Sequence, residues 1–302
     1  MTPRSRAGVA TGSGPARRHS SPGRGETTGS DRIAGAFAAA AADGRLALIP
    51  YLVAGYPDPA TSLEVALAAI DRGADLLEVG LPYSDPLADG ATLQRASAAA
   101  LASGTDLSAA LDLIGRIGAA RPAVPLVVMG YANQLIGGGD GRATAGRLAA
   151  AGVAGVIVAD LTPDEGAPFE AVAAEAGLAV VYLVAPTTPA ARRAMIARRS
   201  RGFLYCVSLV GVTGARSSLP SSVGRYVRKV ASAAPLPVAV GFGVSRPAHV
   251  RAIARAGADG VIVASALVDA LGPDGREVEA MGRLVSLLRG ATARPASPRT
   301  AS

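Results

Sequence analysis

The sequence predicts a single (β/α)8 barrel, and three observations lead to this prediction. Eight short apolar runs alternate with longer Ala-rich amphipathic segments between residues 31 and 288. The apolar runs are continuous stretches of Val, Ile and Leu, which are typical of parallel strands buried on both faces. Most connections between the apolar runs and the amphipathic segments are short. The segment 31–288 also has about the length that a barrel of this kind needs, which is about 250 residues.

The predicted strands and helices follow one another along the chain. The strands are expected at Ala47–Val53, Leu76–Val79, Leu126–Gly130, Gly155–Val158, Ala179–Val184, Phe203–Val207, Val238–Val240 and Gly260–Val263. The helices are expected at Ser62–Arg72, Leu107–Ala120, Thr144–Ala151, Pro168–Ala176, Ala190–Arg199, Ser221–Ala233, Pro247–Ala256 and Glu277–Arg289.

Three joints between a helix and the next strand repeat nearly the same residues. They read Gly-Ala-Asp-Leu-Leu-Glu-Val-Gly from Gly73, Gly-Val-Ala-Gly-Val-Ile-Val-Ala-Asp from Gly152 and Gly-Ala-Asp-Gly-Val-Ile-Val-Ala-Ser from Gly257. In each joint a glycine can end the helix in the left-handed conformation. A doubly wound open sheet, the alternative, needs a Gly-rich nucleotide-binding turn after the first strand, where this chain has Ala-Gly-Tyr-Pro-Asp-Pro from Ala54. The repeated unit therefore favours the closed barrel.

The net charge of +7 is concentrated at the two ends of the chain. Residues 1–30 contain five arginines and one glutamate, or +4, and residues 289–302 contain three arginines, or +3, so residues 31–288 are neutral by count. We therefore expect disordered basic extensions at 1–30 and 289–302 around one catalytic domain at 31–288. Because this domain is neutral and poor in aromatic residues, it offers no evident groove for nucleic acid.

The Arg- and Ser-rich N-terminal extension has two alternatives to disorder, a transit peptide and an anion-binding tail. It lacks the apolar segment of a secretory signal, and its Gly and Pro residues disfavour the amphipathic helix of a transit peptide. Electrostatic attraction of both tails to anionic surfaces, including DNA, is the other alternative.

Two features of the whole chain bear on its location. No apolar run reaches the roughly 18 residues of a membrane span. The single cysteine permits no internal disulfide, which suits the reducing cytoplasm.

The scarcity of three residue types restricts the chemistry. The histidines are His19 in the N-terminal extension and His249 in a predicted helix, so neither is placed to act as a base or to build a metal site. The single lysine, Lys229, falls on a predicted surface helix, which disfavours a Schiff-base mechanism. Cys206 lies in the apolar run Phe-Leu-Tyr-Cys-Val, where a buried inert thiol is expected. Carboxylates, tyrosines, hydroxyls and backbone amides therefore remain as the reactive groups.

Two carboxylates in the segment 75–94 have different predicted environments. Glu78 lies inside an apolar strand, where desolvation can raise its pKa, whereas Asp89 lies on the following loop and is expected to be exposed and ionised. Because every strand of a closed barrel is interior, Glu78 must point into the barrel mouth or be paired. We favour a catalytic role for Glu78, since acid–base chemistry needs two carboxyl groups in different protonation states.

The ends of the last two predicted strands suit a bound phosphate. Gly241-Phe242-Gly243 follows one strand, and Ala264-Ser265 follows the other. Small residues let backbone amides approach a ligand, and a short helix beginning near Ser265 would direct its N-terminal amides at an anion. The alternative is that the glycines only permit tight turns.

Other strand ends carry further candidate residues. The Gly-bearing segment Ser208–Ser218 can close over a ligand or be a passive surface loop. Asp160 can bind a donor at the barrel mouth or cap its own turn. Tyr205 can present its hydroxyl inward or fill the core.

Four segments together resemble the tryptophan synthase alpha chain family, and the similarity runs from about Ile33 to Leu288. The segments are Leu-Glu-Val-Gly-Leu-Pro-Tyr-Ser-Asp-Pro-Leu-Ala-Asp-Gly from Leu77, Val-Ala-Pro-Thr-Thr-Pro from Val184, Gly-Val-Thr-Gly-Ala from Gly211 and Val-Gly-Phe-Gly-Val-Ser from Val240. The resemblance implies a retro-aldol cleavage of indole-3-glycerol phosphate to indole and glyceraldehyde 3-phosphate, without metal or organic cofactor.

The resemblance also assigns roles to individual residues. It implies that Glu78 is the general acid and base, that Asp89 stabilises positive charge at the indole nitrogen, and that Tyr205 is an active-site tyrosine. Thr213 would be the lid residue that meets Asp89 on closure. The remaining candidates are substrate and phosphate contacts, with Ala264 included by its position alone: Gly214, Gly241, Phe242, Gly243, Ala264, Ser265, Tyr51, Tyr131 and Asp160.

The family also implies a pyridoxal-phosphate beta chain as partner, in an alpha2beta2 heterotetramer, with Asp85 and Pro86 on the loop at that interface. This chain departs from the family's usual residues at Ala264, Ala91 and the pair Leu209–Val210. An added methyl at Ala264 could crowd the phosphate if that position needs a positive φ. Two alternatives stay open: a stand-alone lyase that releases free indole, and a catalytically silent barrel that acts only on a beta subunit.

Overall fold

A computed structural model describes residues 27–207, 220–241 and 243–294. Its strands form one parallel sheet in the order β5-β4-β3-β2-β1-β9-β8-β7-β6. The strands are β1 Ala47–Val53, β2 Leu77–Gly80, β3 Leu126–Gly130, β4 Val153–Val158, β5 Ala179–Val180, β6 Leu183–Val184, β7 Leu204–Val207, β8 Val238–Gly241 and β9 Gly260–Val263.

The sheet closes because β5 and β6 are the two ends of one extended segment. The N-terminal end pairs with β4, and the C-terminal end pairs with β7. Between them, the Val181 amide donates to the Val156 carbonyl and the Tyr205 amide donates to the Tyr182 carbonyl. The segment therefore bridges the two edges of the sheet, and the predicted (β/α)8 barrel is confirmed. The single strand expected at Ala179–Val184 is divided in two.

The helices surround this barrel, and all eight of those predicted are present. They are α1 Gly29–Ala42, α2 Pro59–Asp71, α3 Ala91–Ala102, α4 Leu107–Ala120, α5 Ala132–Leu135, α6 Arg142–Ala150, α7 Pro163–Glu175, α8 Ala190–Arg199, α9 Ser221–Ala231, α10 Pro247–Arg255, α11 Ser265–Ala270 and α12 Val278–Gly290. The predicted start of α7, at Pro168, is too late. The helix begins at Pro163, because proline fits the first helical position, where no amide donor is needed.

Helix α1 was not predicted, and it covers the N-terminal end of the barrel. Ile33 and Phe37 are buried in the same apolar cluster as the inward side chains of the strands. Their close approach depends on glycines: a Cβ on Gly155 would lie 2.9 Å from Ile33, and one on Gly260 would lie 2.8 Å from Phe37. The sequence signal was the capping box, in which Thr28 and Asp31 bond reciprocally at the start of the helix.

Two apolar clusters share the interior. One lies inside the barrel and includes Ile49, Val127 and Phe203. The other lies between the strands and the surrounding helices and includes Leu48 and Val128. Alternate residues of each strand belong to different clusters, because successive side chains point to opposite faces. This alternation decides which polar side chains enter the barrel.

The folded part extends past both boundaries expected from the charge distribution. Helix α1 begins at Gly29, two residues before position 31, and α12 continues to Gly290. Ala293 pairs with Arg45 in an antiparallel bridge, and Arg294 forms a 2.8 Å ion pair with Asp259. Residues 289–294 therefore belong to the domain. None of the described helices is both long enough and apolar enough to span a membrane.

Candidate functional site

Glu78 is buried in the middle of the barrel. It lies on β2 between Tyr51 of β1 and Val127 of β3, with which it is in register. The side chain is 0% exposed, and neither carboxylate oxygen has a hydrogen-bond partner. Burial, together with the nearby charge of Asp89, raises the pKa of Glu78 to about 8. A carboxyl group in this state can hold a proton at neutral pH and release it to a substrate.

Asp89 lies on the loop between β2 and α3 and faces the same space. The expectation that it is exposed is wrong, because the residue is only partly exposed and burial raises its pKa to about 6. The carboxyl group is still mostly ionised at neutral pH, since this pKa is below 7. Asp89 and Glu78 interact electrostatically, so their titrations are coupled. The difference in burial still separates them, with Glu78 the stronger base.

Two tyrosines line the same interior. Tyr51 and Tyr205 are buried in the barrel cluster, so the hydroxyl of Tyr205 points inward rather than toward the helices. Burial and the charges of Glu78 and Asp89 raise the pKa of both phenols well above the usual value. Each phenol therefore stays protonated and can donate a hydrogen bond.

Glycines at two strand ends leave room for these rings. A Cβ on Gly80 would overlap the Tyr51 hydroxyl, and one on Gly241 would lie 2.5 Å from the Tyr205 hydroxyl. A larger residue at either position would displace a tyrosine from the mouth. Gly241 was expected to contact phosphate, and the packing gives it a structural reason as well.

Tyr131 lies at the end of β3 and contacts the loop that carries Asp89. Its hydroxyl accepts the Ala88 amide at 2.9 Å, and its ring stacks on Tyr83 with centroids 4.8 Å apart. Burial is the main reason that the pKa of Tyr131 rises to about 12. The side chain is therefore at the mouth, next to Asp89.

Asp160 bonds a neighbouring helix in this structure. Its Oδ1 accepts the Ala132 amide at 2.7 Å, at the first residue of α5. This contact is not the cap of the residue's own turn that the sequence left open, and binding of a donor at the barrel mouth stays a prediction.

The expected phosphate site is described in part. Gly243 has φ +74°, and Ser265 is exposed as the first residue of α11. Ala264 precedes it with φ −119°, which is outside the left-handed region that favours glycine, so this position has no need of glycine for a positive φ. Several expected contacts lie outside the described residues, namely Thr213, Gly214 and Phe242, together with the departures at Leu209 and Val210.

The groups that the sequence analysis set aside lie away from the mouth or are buried. The Nδ1 of His249 accepts the Ser245 amide at 3.3 Å, so this histidine packs within its own loop and helix. Lys229 is exposed on α9. Burial raises the pKa of Cys206 to about 12, which agrees with an inert thiol. In the part of the chain that the structure describes, no three His, Cys, Asp or Glu side chains form a group that could hold a metal ion.

Two amide side chains that were not predicted bond the loop that carries Asp89. Gln134, on α5, donates to the Pro82 carbonyl at 2.9 Å, and Gln94, on α3, donates to the Asp89 carbonyl at 3.0 Å. Their partners are backbone groups that are distant in sequence or in a loop, so no local pattern reveals the contacts.

Comparison with known proteins identifies the family. The sequence model of the tryptophan synthase alpha chain matches residues 37–292. The alpha chain of Roseiflexus castenholzii is 46% identical over 261 residues, which cover 86% of this chain and 99% of the relative. The chain belongs to the tryptophan synthase alpha chain family.

Other alpha chains and solved structures agree. The alpha chain of Gloeobacter violaceus is 46% identical over 258 residues, covering 85% of this chain and 92% of the relative. A Mycobacterium tuberculosis tryptophan synthase structure matches with a TM-score of 0.80 and 39% identity, covering 87% of this chain and 99% of that chain. A Pyrococcus furiosus tryptophan synthase a2b2 complex matches with a TM-score of 0.76 and 39% identity, covering 82% and 98%.

Membership of the alpha chain family confirms the resemblance seen in the sequence. The function is that of the alpha subunit of tryptophan synthase, a lyase of tryptophan biosynthesis. The family also implies a beta-chain partner.

Proposed function

We propose that the chain cleaves indole-3-glycerol phosphate to indole and glyceraldehyde 3-phosphate, with Glu78 as the general acid and base and Asp89 as the charge-stabilising carboxylate. The observation that supports this most is the unpartnered, fully buried carboxyl of Glu78 inside the barrel. Leaving such a group without a partner costs stability, so a bound substrate is the natural partner for it.

The pKa of Glu78, about 8, suits two successive proton movements by this one residue, and the lower pKa of Asp89, about 6, leaves Asp89 ionised at neutral pH. Protonated Glu78 donates to the ring carbon of indole that carries the glycerol chain, which places positive charge at the ring nitrogen. Ionised Asp89 stabilises that charge through the ring N–H. The carboxylate left on Glu78 then takes the proton of the neighbouring glycerol hydroxyl as the carbon–carbon bond breaks, so the aldehyde forms and indole leaves.

The other inward residues have supporting roles in this proposal. Tyr205 and Tyr51 flank Glu78 and donate hydrogen bonds, while Tyr131 borders the indole and glycerol region. Asp160 contributes indirectly, through α5. The phosphate group is bound by backbone amides of Gly241, Phe242, Gly243, Ala264, Ser265 and Gly214, and Thr213 approaches Asp89 when the lid closes.

The partner in this proposal is a tryptophan synthase beta chain in an alpha2beta2 complex. Asp85 and Pro86 form part of the interface. They lie beside Leu87, whose side chain is 92% exposed and is the most exposed large apolar side chain in the described part of the chain. Such a residue on a catalytic loop would be covered by a partner, and its contact would link that partner to Asp89.

Kinetics of two isosteric variants test the catalytic roles. Glu78→Gln should lower kcat for indole formation by about 10²–10⁴-fold, because general acid–base catalysis contributes this much. Asp89→Asn should lower kcat by about 10²–10³-fold with little change in KM, since it removes charge stabilisation in the transition state. Near-normal turnover by Glu78→Gln would contradict the proposal, whereas Glu64→Gln, which changes an exposed carboxyl on α2, should retain full activity.

A second measurement tests the partner. Indole release is assayed for the full-length chain with and without a cognate beta chain. Strong activation would support the synthase subunit, and full activity of the chain alone would support a stand-alone lyase. A chain that lacks lyase activity under both conditions but still activates the beta chain would be the silent barrel.

A further inference from the structure

The loop that carries Asp89 has few contacts of its own. It spans residues 81–90, between β2 and α3, and two backbone hydrogen bonds lie within it: Leu87 donates to the Asp85 carbonyl, and Asp89 donates to the Pro86 carbonyl. Loops with so few internal bonds sample several conformations unless other elements hold them. The position of Asp89 therefore depends on contacts from outside the loop.

Gln134 makes one of these contacts. This half-buried residue lies on α5, and its Nε2 donates to the Pro82 carbonyl at 2.9 Å. Its Oε1 accepts the Tyr131 amide at 3.2 Å. Both ends of the side-chain amide are thus used, and one residue joins the loop after β2 to the loop after β3.

Tyr131 makes a second contact six residues further along the Asp89 loop. Its hydroxyl accepts the amide of Ala88, the residue immediately before Asp89, at 2.9 Å. Because Gln134 also bonds the Tyr131 backbone, the two side chains form a connected pair. We call this pair the α5 clamp.

The α5 clamp is itself anchored to the barrel. Helix α5 has only four residues, Ala132–Leu135, and would be unstable alone. The carboxylate of Asp160, after β4, accepts the Ala132 amide at its start. The opposite end of the loop is held by Gln94 of α3, which donates to the Asp89 carbonyl at 3.0 Å.

We propose that Gln134 is a positioning residue for the lyase reaction: as part of the α5 clamp it fixes residues 82–88 and thereby sets the position of the Asp89 carboxylate opposite Glu78. This inference rests on the role proposed above for Asp89. The side-chain amide supplies what the reaction needs, which is a rigid support that keeps a catalytic group within a fraction of an ångström of its productive position.

A double-mutant cycle tests the inference in the full-length chain. Gln134→Met keeps the side-chain length and removes both hydrogen bonds, and it should lower kcat by about 10- to 100-fold, as expected for a displaced catalytic group. Gln134→Glu keeps an acceptor for the Tyr131 amide but loses the donor to Pro82, and it should be as slow as Gln134→Met. The matched control is Asn133→Ala, an exposed residue on the same helix, which should retain wild-type kcat.

The decisive comparison is Gln134→Met in the Asp89→Asn background. If Gln134 acts through Asp89, the second substitution should change kcat less than about 2-fold, because its effect has already been removed. A full 10-fold loss on top of Asp89→Asn, or wild-type kcat for Gln134→Met alone, would overturn the inference and leave the proposed function intact. Near-normal activity of Asp89→Asn alone would refute the proposed role of Asp89 and the inference with it.

The pH profile separates positioning from a general loss of structure. With the Gln134 contact removed, the loop loosens and Asp89 becomes better hydrated, so its pKa should fall and the acidic limb of kcat should move below the pH of the wild-type limb. A variant whose kcat falls in proportion to its folded fraction, with an unchanged acidic limb, would mean that Gln134 has only a structural role. The folded fraction is measured by circular dichroism under the assay conditions.

Discussion

Replacing Glu78 with glutamine should make the protein more stable at alkaline pH, although the change is at the centre of the active site. The side chain is fully buried, and its pKa is about 8 against the reference value of 4.5. Between these two pH values the folded protein keeps a proton on Glu78 that the unfolded chain has released. The folded state therefore loses stability as the pH rises through this window.

The magnitude follows from the two pKa values. Each pH unit within the window costs about 1.4 kcal/mol, so the loss is about 3 kcal/mol between pH 4.5 and 7 and approaches about 5 kcal/mol above pH 8. Glutamine does not ionise, so the Glu78→Gln variant escapes this loss. A buried amide without a partner also costs free energy, but that cost is independent of pH. The pH dependence of the difference therefore isolates the carboxyl group.

The assay is urea unfolding of wild type and Glu78→Gln at pH 5, 6, 7, 8 and 9, with the free energy of unfolding extrapolated to water. The stability of the variant relative to wild type should increase steadily from pH 5 to 8 and then level off. The control Glu64→Gln, at an exposed position on α2, should show a constant difference from wild type. A Glu78→Gln difference that is also constant within about 0.5 kcal/mol would refute the buried-acid argument.

Two further predictions concern catalysis and packing. The pH profile of kcat/KM should be bell-shaped. Its acidic limb lies near pH 6, where Asp89 becomes protonated, and its alkaline limb lies near pH 8, where Glu78 loses its proton. Activity that is flat from pH 5 to 9 would contradict the assignment of the two acids. Phe37→Ala should lower the free energy of unfolding by about 3–5 kcal/mol, because the ring is 4% exposed inside the barrel and packs 5.6 Å from Phe203. Urea unfolding checks this, and a loss below about 1 kcal/mol would mean that α1 is not part of the core.

The catalytic pair shows how far sequence reasoning reached. The sequence left two positions for Glu78, the barrel mouth or a buried pair, because it lies in a continuous apolar strand of a closed barrel. The structure places it in the interior without a partner. Asp89 was assigned to a loop, which is where it lies, but its exposure was wrong. Burial of a loop residue depends on neighbours from other elements, and no local pattern encodes them.

The contacts of Asp160 and Gln134 could not be predicted either, because their partners are distant in the sequence. Two roles for Asp160 remained open in the sequence, and the structure shows a third contact, with the Ala132 amide of α5. Gln134 had no signal that distinguished it from a surface residue of a short helix. Its importance comes from the Pro82 carbonyl, which lies 52 positions earlier in the chain.

By itself, the sequence determined the strand positions, the parallel barrel and the identity of the acids available for proton transfer. These follow from local patterns, since buried parallel strands are continuous apolar runs and a glycine with positive φ lies at each of the three repeated joints, Gly73, Gly152 and Gly257. Only the tertiary structure decided that α1 covers the barrel, that Asp89 is partly buried beside Glu78, and that Gln134 and Tyr131 hold the loop between them. Those features are distances between residues far apart in the chain, and the pKa values of the two acids depend on such distances.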